Sequence, residues 1–321
     1  MEGVQIIGGG AIGLLLAGRL AASGVLVCVR TRTREQADEL AAEGVAVLSA
    51  LGDADLRAIV EAAPLADGMA GMPEVALLAV KQTALTPDFL DLLDAALPPR
   101  AVVTAFCNGI GHTDLLTERM PGRPVLAAVT TEASLRLGAA TVRHTGRGEI
   151  WLGPAPLFER GDAAYAAGEE KEAAALAAAL RQAGFTASAS NHMAERMLRK
   201  LLSNAVVNPL TALLRVPNGE LVRPPARAEL VRRLFDETLA VLRACGLRAN
   251  AGLWEELLDL CERTAANRSS MLQDVLAGRP TEIMAINGAV AKLAALKGLA
   301  APYNESVTAL VSALRGEDRE G

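Results

Sequence analysis

Val4-Gln5-Ile6-Ile7-Gly8-Gly9-Gly10-Ala11-Ile12-Gly13 stands close to the start of the chain, and Leu14 to Ala22 follow as a run of helix formers. A short apolar strand thus runs into G-x-G-x-x-G and then into a helix, the context in which this spacing holds a dinucleotide. Gly8 permits the tight turn, Gly10 lets the backbone approach a pyrophosphate, and Gly13 lets the helix pack on the strand. The first N–H groups of the helix, around Ala11 and Ile12, have no partner within the helix and face the phosphates.

The second apolar run, Val25 to Val29, ends at Arg30. An acidic residue at this distance grips the ribose 2′-hydroxyl of NAD. Here Arg30 takes that place, with Arg32 and Arg34 behind it, and no Asp or Glu follows the glycine loop before Glu35. A guanidinium suits a 2′-phosphate through paired, charge-assisted hydrogen bonds. The expected cofactor is therefore NADP(H), with Arg30 on its phosphate.

Further along, Val75–Val80, Val102–Phe106 and Val125–Val129 are continuous apolar runs, as expected of strands buried on both faces. Helical patterns at Arg34–Glu43, Asp88–Leu97 and Asp114–Met120 fall between them. This alternation predicts a doubly wound parallel sheet of Rossmann type. Thr141–His144 and Glu149–Leu152 read as an antiparallel addition, and Phe185–Ser188 as a last strand. The charged stretch Glu159–Glu172 reads as a surface loop leading into a helix. From Asn191 the pattern is helical, so the expected fold is an α/β domain over residues 1–190 and an all-α domain over 191–321. Arg315–Gly321 reads as a frayed tail.

Composition narrows the function. A length of 321 residues suffices for two domains, and 51% hydrophobic residues supply their cores. A net charge of −5 with 3% aromatics argues against a nucleic-acid surface. No apolar run reaches membrane-spanning length, and a strand this near Met1 leaves no room for a signal peptide. Cys28, Cys107, Cys245 and Cys261 fit neither metal nor disulfide spacing, and His112, His144 and His192 form no ligand pattern. No metal is expected, and the cysteines read as reduced thiols of a cytoplasmic protein.

The helical half carries the second informative stretch, Arg199 to Ala212. Lys200, Asn204 and Asn208 stand at i, i+4 and i+8, so they line one stripe of a helix that is otherwise mostly Leu, Val and Ala. Polar groups on such a face require partners. A ligand with polar groups is one source; solvent on an exposed face or an interhelical network is the alternative. Lys81 follows the buried strand Val75–Val80, and Asn108-Gly109 follows Val102–Phe106, at the strand ends where α/β sheets bind ligands. Asn218-Gly219 reads as a turn, Ser270-x-x-Gln273 as a capping box, and Glu282 opens a helix where its charge suits the dipole.

Taken in order, these segments resemble the ketopantoate reductase (2-dehydropantoate 2-reductase) family. The resemblance covers nearly the whole chain: the glycine loop, Val80-Lys81, Asn108-Gly109, Arg199–Ala212, Pro217–Leu221, Ser269–Asp274, Thr281–Ile283 and Ile286-Asn287-Gly288. It implies reduction of ketopantoate to pantoate with NADPH, in the route to pantothenate and coenzyme A. It further implies Lys200 as catalytic lysine and Glu282 as its acidic partner. Asn204, Asn208, Asn218 and Ser270 would contact the substrate along with Lys200, and Lys81 and Asn108 would stand where cofactor meets substrate. Gly161–Glu170 looks longer than the family has there. The partner is a small 2-oxo acid, with no nucleic acid and no membrane, and the protein a monomer or homodimer. Two alternatives stay open: a reductase of another 2-oxo acid or a β-hydroxyacid dehydrogenase, and a non-catalytic NADP(H) sensor.

Overall fold

The computed structural model describes residues 1, 3–67, 73–158, 168–248 and 252–314. Part of the charged stretch (159–167) and the C-terminal tail (315–321) lie outside them. The chain forms two compact units. The first comprises Met1–Cys107 and His112–Met193; the second comprises Ala194–Gly321 together with the short segment Asn108–Gly111.

The first unit contains the strands β1 (Gly3–Ile7), β2 (Leu26–Thr31), β3 (Val45–Ser49), β4 (Leu56–Ala58), β5 (Glu61–Pro64), β6 (Val75–Leu78), β7 (Val102–Ala105), β8 (Val125–Thr130), β9 (Ala133–Arg136), β10 (Thr141–Gly146), β11 (Glu149–Pro154) and β12 (Thr186–Ala189). Its helices are α1 (Ala11–Ala22), α2 (Arg34–Glu43), α3 (Pro87–Ala96), α4 (His112–Arg119) and α5 (Glu169–Gln182). The main sheet runs β12-β11-β8-β7-β6-β1-β2-β5. It is parallel from β5 to β8, and β11 lies antiparallel to β8. The order reverses beside β1, between β2 and β6, the switch point at which doubly wound sheets bind ligands.

A second sheet, β4-β3-β10-β9, was not anticipated. Thr141–Gly146 belongs to it, parallel to β3, and is not part of an antiparallel addition to the main sheet; β11 does make that addition. Helix α1 packs between the two sheets, and its glycines explain how closely. A Cβ on Gly13 would stand 2.0 Å from the carbonyl oxygen of Gly8, and one on Gly18 would stand 2.5 Å from Val47 Cγ2.

Apart from Asn108–Gly111, the regular elements of the second unit among the described residues are helices: α6 (Met193–Leu214), α7 (Pro225–Ala244), α8 (Leu253–Arg263), α9 (Ser270–Leu276), α10 (Ala289–Leu296) and α11 (Pro302–Ala313). A turn of π-helix, Met284–Gly288, leads directly into α10. Its core is built from apolar faces such as Leu201, Leu202, Val206 and Leu210 of α6, with Leu234, Phe235, Val241 and Leu242 of α7. Among the described residues no helix is long and apolar enough to cross a membrane.

Candidate functional site

In the first unit the glycine loop sits at the switch point. Gly8 has φ +112°, a conformation that L side chains rarely adopt, and its N–H donates to the Arg30 carbonyl at 2.9 Å. Gly10 is different. It is extended, it caps α1 without any side-chain hydrogen bond, and a Cβ there would meet nothing closer than the Ala79 carbonyl oxygen at 3.8 Å. The protein's own packing does not need glycine at position 10, and the open space leaves room for close approach of another molecule. With no acidic side chain in the first turn of α1, the free N–H groups after Gly10 suit an anion. These residues fit a dinucleotide pyrophosphate. Lys81 is half-buried, after β6, and caps a 3-10 turn over Gln82–Ala84.

Arg30 stands near the end of β2, as the sequence reading has it, but is more enclosed than a loop arginine. It is 1% exposed; its Nη2 donates to the backbone carbonyls of Leu65, at 3.2 Å, and Asp67, while its Nε and Nη1 are buried without a hydrogen-bond partner among the described residues. The reason is strand length. β2 continues through Thr31, so Arg30 is still paired in the sheet, to Ile7 on one side and Ala63 on the other. The first arginine beyond the strand is Arg32, which is exposed. Arg34 is exposed and ion-paired to Asp67.

In the second unit α6 carries Lys200, Asn204 and Asn208 as the spacing predicts. The Lys200 ammonium donates to Asn108 Oδ1 at 2.9 Å, and Asn108 Nδ2 donates to Glu282 Oε2 at 3.0 Å. Glu282 is 7% exposed. Asn108 reaches this position because its loop is fastened to the π-turn. Gly109 has φ +77°, and a Cβ on it would stand 2.1 Å from the Ala285 carbonyl oxygen. The same oxygen accepts the Ile110 N–H at 3.2 Å. A wide π-turn loosens the local i→i−4 ladder, which is why such turns recur at functional sites.

Asn204 is half-buried and Asn208 is buried on the same helix. Asn218 lies in a separate network: its Nδ2 donates to Thr264 Oγ1 at 2.9 Å, and its Oδ1 is buried without a hydrogen-bond partner among the described residues. The cap of α9 is Ser269, not Ser270. Ser269 Oγ accepts the Leu272 N–H at 3.1 Å and shares a 2.7 Å hydrogen bond with Thr211 Oγ1 of α6. Ser270 is the first helical residue, and its side chain is exposed. The capping-box reading fails because burial beside Thr211 selects the first serine of the pair.

Sequence reasoning missed one buried network. Asn287 Nδ2 donates to the Ala205 carbonyl at 2.7 Å and to Asn304 Oδ1 at 3.0 Å. Asn304 Nδ2 in turn donates to Glu237 Oε1 at 2.9 Å. The signal for it was Pro209 inside α6, which removes a backbone donor.

Comparison with known proteins places the chain in a family. The model described as "Ketopantoate reductase PanE/ApbA" matches residues 4–156, and that for its C-terminal part matches residues 192–315. The chain belongs to the ketopantoate reductase family. It is 32% identical to 2-dehydropantoate 2-reductase of Archaeoglobus fulgidus over 313 residues, covering 97% of both chains. It is 30% identical to the Bacillus subtilis protein of the same name, again over 97% of each. A solved ketopantoate reductase of this family from Ralstonia eutropha superposes with a TM-score of 0.84 at 28% identity, over 97% of this chain and 98% of that one.

Proposed function

We propose that this protein reduces the keto group of 2-dehydropantoate to the hydroxyl of pantoate, using NADPH. The observation that carries the proposal is the run of hydrogen bonds Lys200–Asn108–Glu282. It sets one donor cation and one acceptor anion on either side of a single amide. Residues 1–190 hold the dinucleotide and 191–321 the substrate, with Asn108–Gly111 serving the second group. When bound, NADPH supplies a hydride to the ketone carbon.

The chain's own residues then meet the charge that develops on the ketone oxygen. Lys200 stabilises it and delivers the proton. Glu282 is a poor partner for the substrate carboxylate, since like charges repel, and serves as acceptor for the substrate's 4-hydroxyl. Asn204, Asn208, Asn218 and Ser270 supply amide and hydroxyl groups for the remaining polar atoms, and Lys81 and Asn108 each serve the dinucleotide. Gly8, Gly10, Ala11, Ile12 and Gly13 cradle the pyrophosphate.

Preference for NADPH rests on Arg32, the exposed arginine after β2, in place of Arg30. The relatives' shared name, 2-dehydropantoate 2-reductase, supports the substrate. The test is NADPH and NADH oxidation against a small panel of 2-oxo acids with and without a 4-hydroxyl. Faster turnover of another 2-oxo acid than of 2-dehydropantoate would reassign the substrate. Dinucleotide binding without turnover of any would remove the enzymatic reading.

A further inference from the structure

Pro209 lies inside α6, one residue after Asn208. A proline there has no N–H, so the carbonyl of residue i−4 loses its helical partner. That carbonyl belongs to Ala205, next to Asn204 and buried within the helical unit. An unpaired buried carbonyl is costly, and the usual result is a kink. In this helix the kink would fall between Asn204 and Asn208, breaking the stripe that begins at Lys200.

The missing donor comes from elsewhere. Asn287 Nδ2 reaches the Ala205 oxygen at 2.7 Å. Its orientation is fixed by chemistry along a chain of acceptors. Glu237 accepts the Asn304 backbone N–H at 2.8 Å and the Asn304 Nδ2 at 2.9 Å. A carboxylate only accepts, so Asn304 must turn its nitrogen to Glu237 and its oxygen to Asn287. Asn287 must therefore present its nitrogen to both Asn304 Oδ1 and Ala205. The arrangement holds although Asn287 Oδ1 is left buried without a hydrogen-bond partner among the described residues. Asn287 sits in the π-turn five residues after Glu282, and it is 0% exposed.

We propose that Asn287 is a positioning residue: by standing in for the N–H that Pro209 lacks, it keeps α6 in register and sets the Lys200–Asn204–Asn208 stripe against Glu282. The side chain that mends α6 lies on the helical segment that begins at Glu282, so one hydrogen bond ties the two halves of the polar site together. The functional part of this inference rests on the roles proposed above for Lys200 and Glu282; the hydrogen bond and its effect on α6 do not.

The test uses Asn287→Ala, Pro209→Ala and the double variant. Pro209→Ala restores a backbone N–H for Ala205, so it should compensate for loss of Asn287. Asn287→Ala should lower kcat by roughly 10- to 100-fold, the scale of a small misplacement of reacting groups, while NADPH affinity stays unchanged. Pro209→Ala alone should turn over as wild type, and the double variant should regain most of the lost kcat. Hydrogen exchange along α6, measured without substrate, should show protection lost around residues 204–210 in Asn287→Ala and regained in the double variant. Wild-type turnover tests the functional reading separately from this exchange measurement. If Asn287→Ala does not fold, recovery of a folded protein by adding Pro209→Ala supports the assignment. A double variant as slow, as poorly protected or as unfolded as Asn287→Ala overturns it, as does Asn287→Ala that melts early yet keeps wild-type kcat.

Discussion

Asn108 accepts from Lys200 with its oxygen and donates to Glu282 with its nitrogen, at 2.9 and 3.0 Å. A single amide therefore fixes the direction of both charged groups, and no other uncharged side chain of that length both donates and accepts in this way. Asn108→Asp keeps the shape but cannot donate to Glu282, and it sets two carboxylates together. We expect kcat to fall by a larger factor than NADPH affinity, because Lys200 and Glu282 carry the chemistry while Asn108 only borders the dinucleotide. Stopped-flow turnover and a fluorescence titration with NADPH measure the two quantities. Wild-type kcat in folded Asn108→Asp would show that the bridge is incidental.

Glycine at position 10 and glycine at position 13 should respond in opposite ways. Position 10 has open space for a side chain, whereas a Cβ at position 13 would stand 2.0 Å from the Gly8 carbonyl oxygen. Gly10→Val should therefore fold and melt normally yet fail to bind a dinucleotide. Gly13→Ala should melt early, because backbone must shift to admit the methyl group. Calorimetric titration and thermal melting separate them. Normal NADPH binding by Gly10→Val would reduce the loop to a plain turn.

The two arginines of the β2 region divide in the same way. Arg32 is exposed and Arg30 is buried against two carbonyls. Arg32→Ala should weaken NADPH binding by about 1.5–3 kcal/mol, the range for one charge-assisted hydrogen bond, and leave NADH nearly unaffected. Arg30→Ala should chiefly lower the melting temperature. Equal weakening of both dinucleotides by Arg32→Ala would dismiss a 2′-phosphate contact.

Where the chain is regular, this fold is readable residue by residue. β1, β6, β7 and β8 are buried on both faces, so their apolar runs announce themselves. β4 and β5 do not: Leu56-Arg57-Ala58 is too short, and Glu61–Pro64 is an edge strand carrying a proline. Both exist because a neighbouring strand already offers its edge. That Lys200, Asn204 and Asn208 share one helix was legible from spacing alone. The enclosure of Arg30 was not legible, because one extra residue of strand keeps its side chain in the sheet. Ser270 was taken for the cap because the pattern Ser-x-x-Gln starts there, while the deciding partner, Thr211, lies 58 residues away from Ser269. Asn287 could have been suspected, since Pro209 inside a helix leaves a carbonyl that something must satisfy.

The buried thiol of Cys261 gives a pH prediction. Burial pushes it up to about 11 from 9.0. The unfolded chain therefore loses this proton at lower pH than the folded protein does. With the folded value raised, the contribution to stability is full below pH 9 and is lost as pH rises toward 11. Cys261→Ala, compared with wild type, should show a shallower fall in melting temperature over that window, after the constant loss due to the smaller side chain. Parallel melting curves from pH 8 to 11 would place the alkaline loss in other groups.

The last prediction separates catalysis from an ion-pair scaffold at Lys200 and Glu282. If Lys200 stabilises the developing alkoxide, Lys200→Ala should lose at least about 10²-fold in kcat, the scale for a removed donor or general acid. NADPH affinity should hold, since the glycine loop and Arg32 are untouched. Glu282→Gln keeps the length and one acceptor oxygen but loses the charge, so it should raise KM for 2-dehydropantoate. For a 2-oxo acid without the 4-hydroxyl the same change should matter much less, because that substrate has no hydroxyl to offer. The structural alternative makes a different pattern. If the two side chains only brace Asn108, both variants should melt earlier and still turn over both substrates at wild-type rates once held well below their melting temperatures. Measuring kcat, KM and Tm for each variant with both substrates decides between them, and an undiminished kcat in folded Lys200→Ala removes the proposed chemistry altogether.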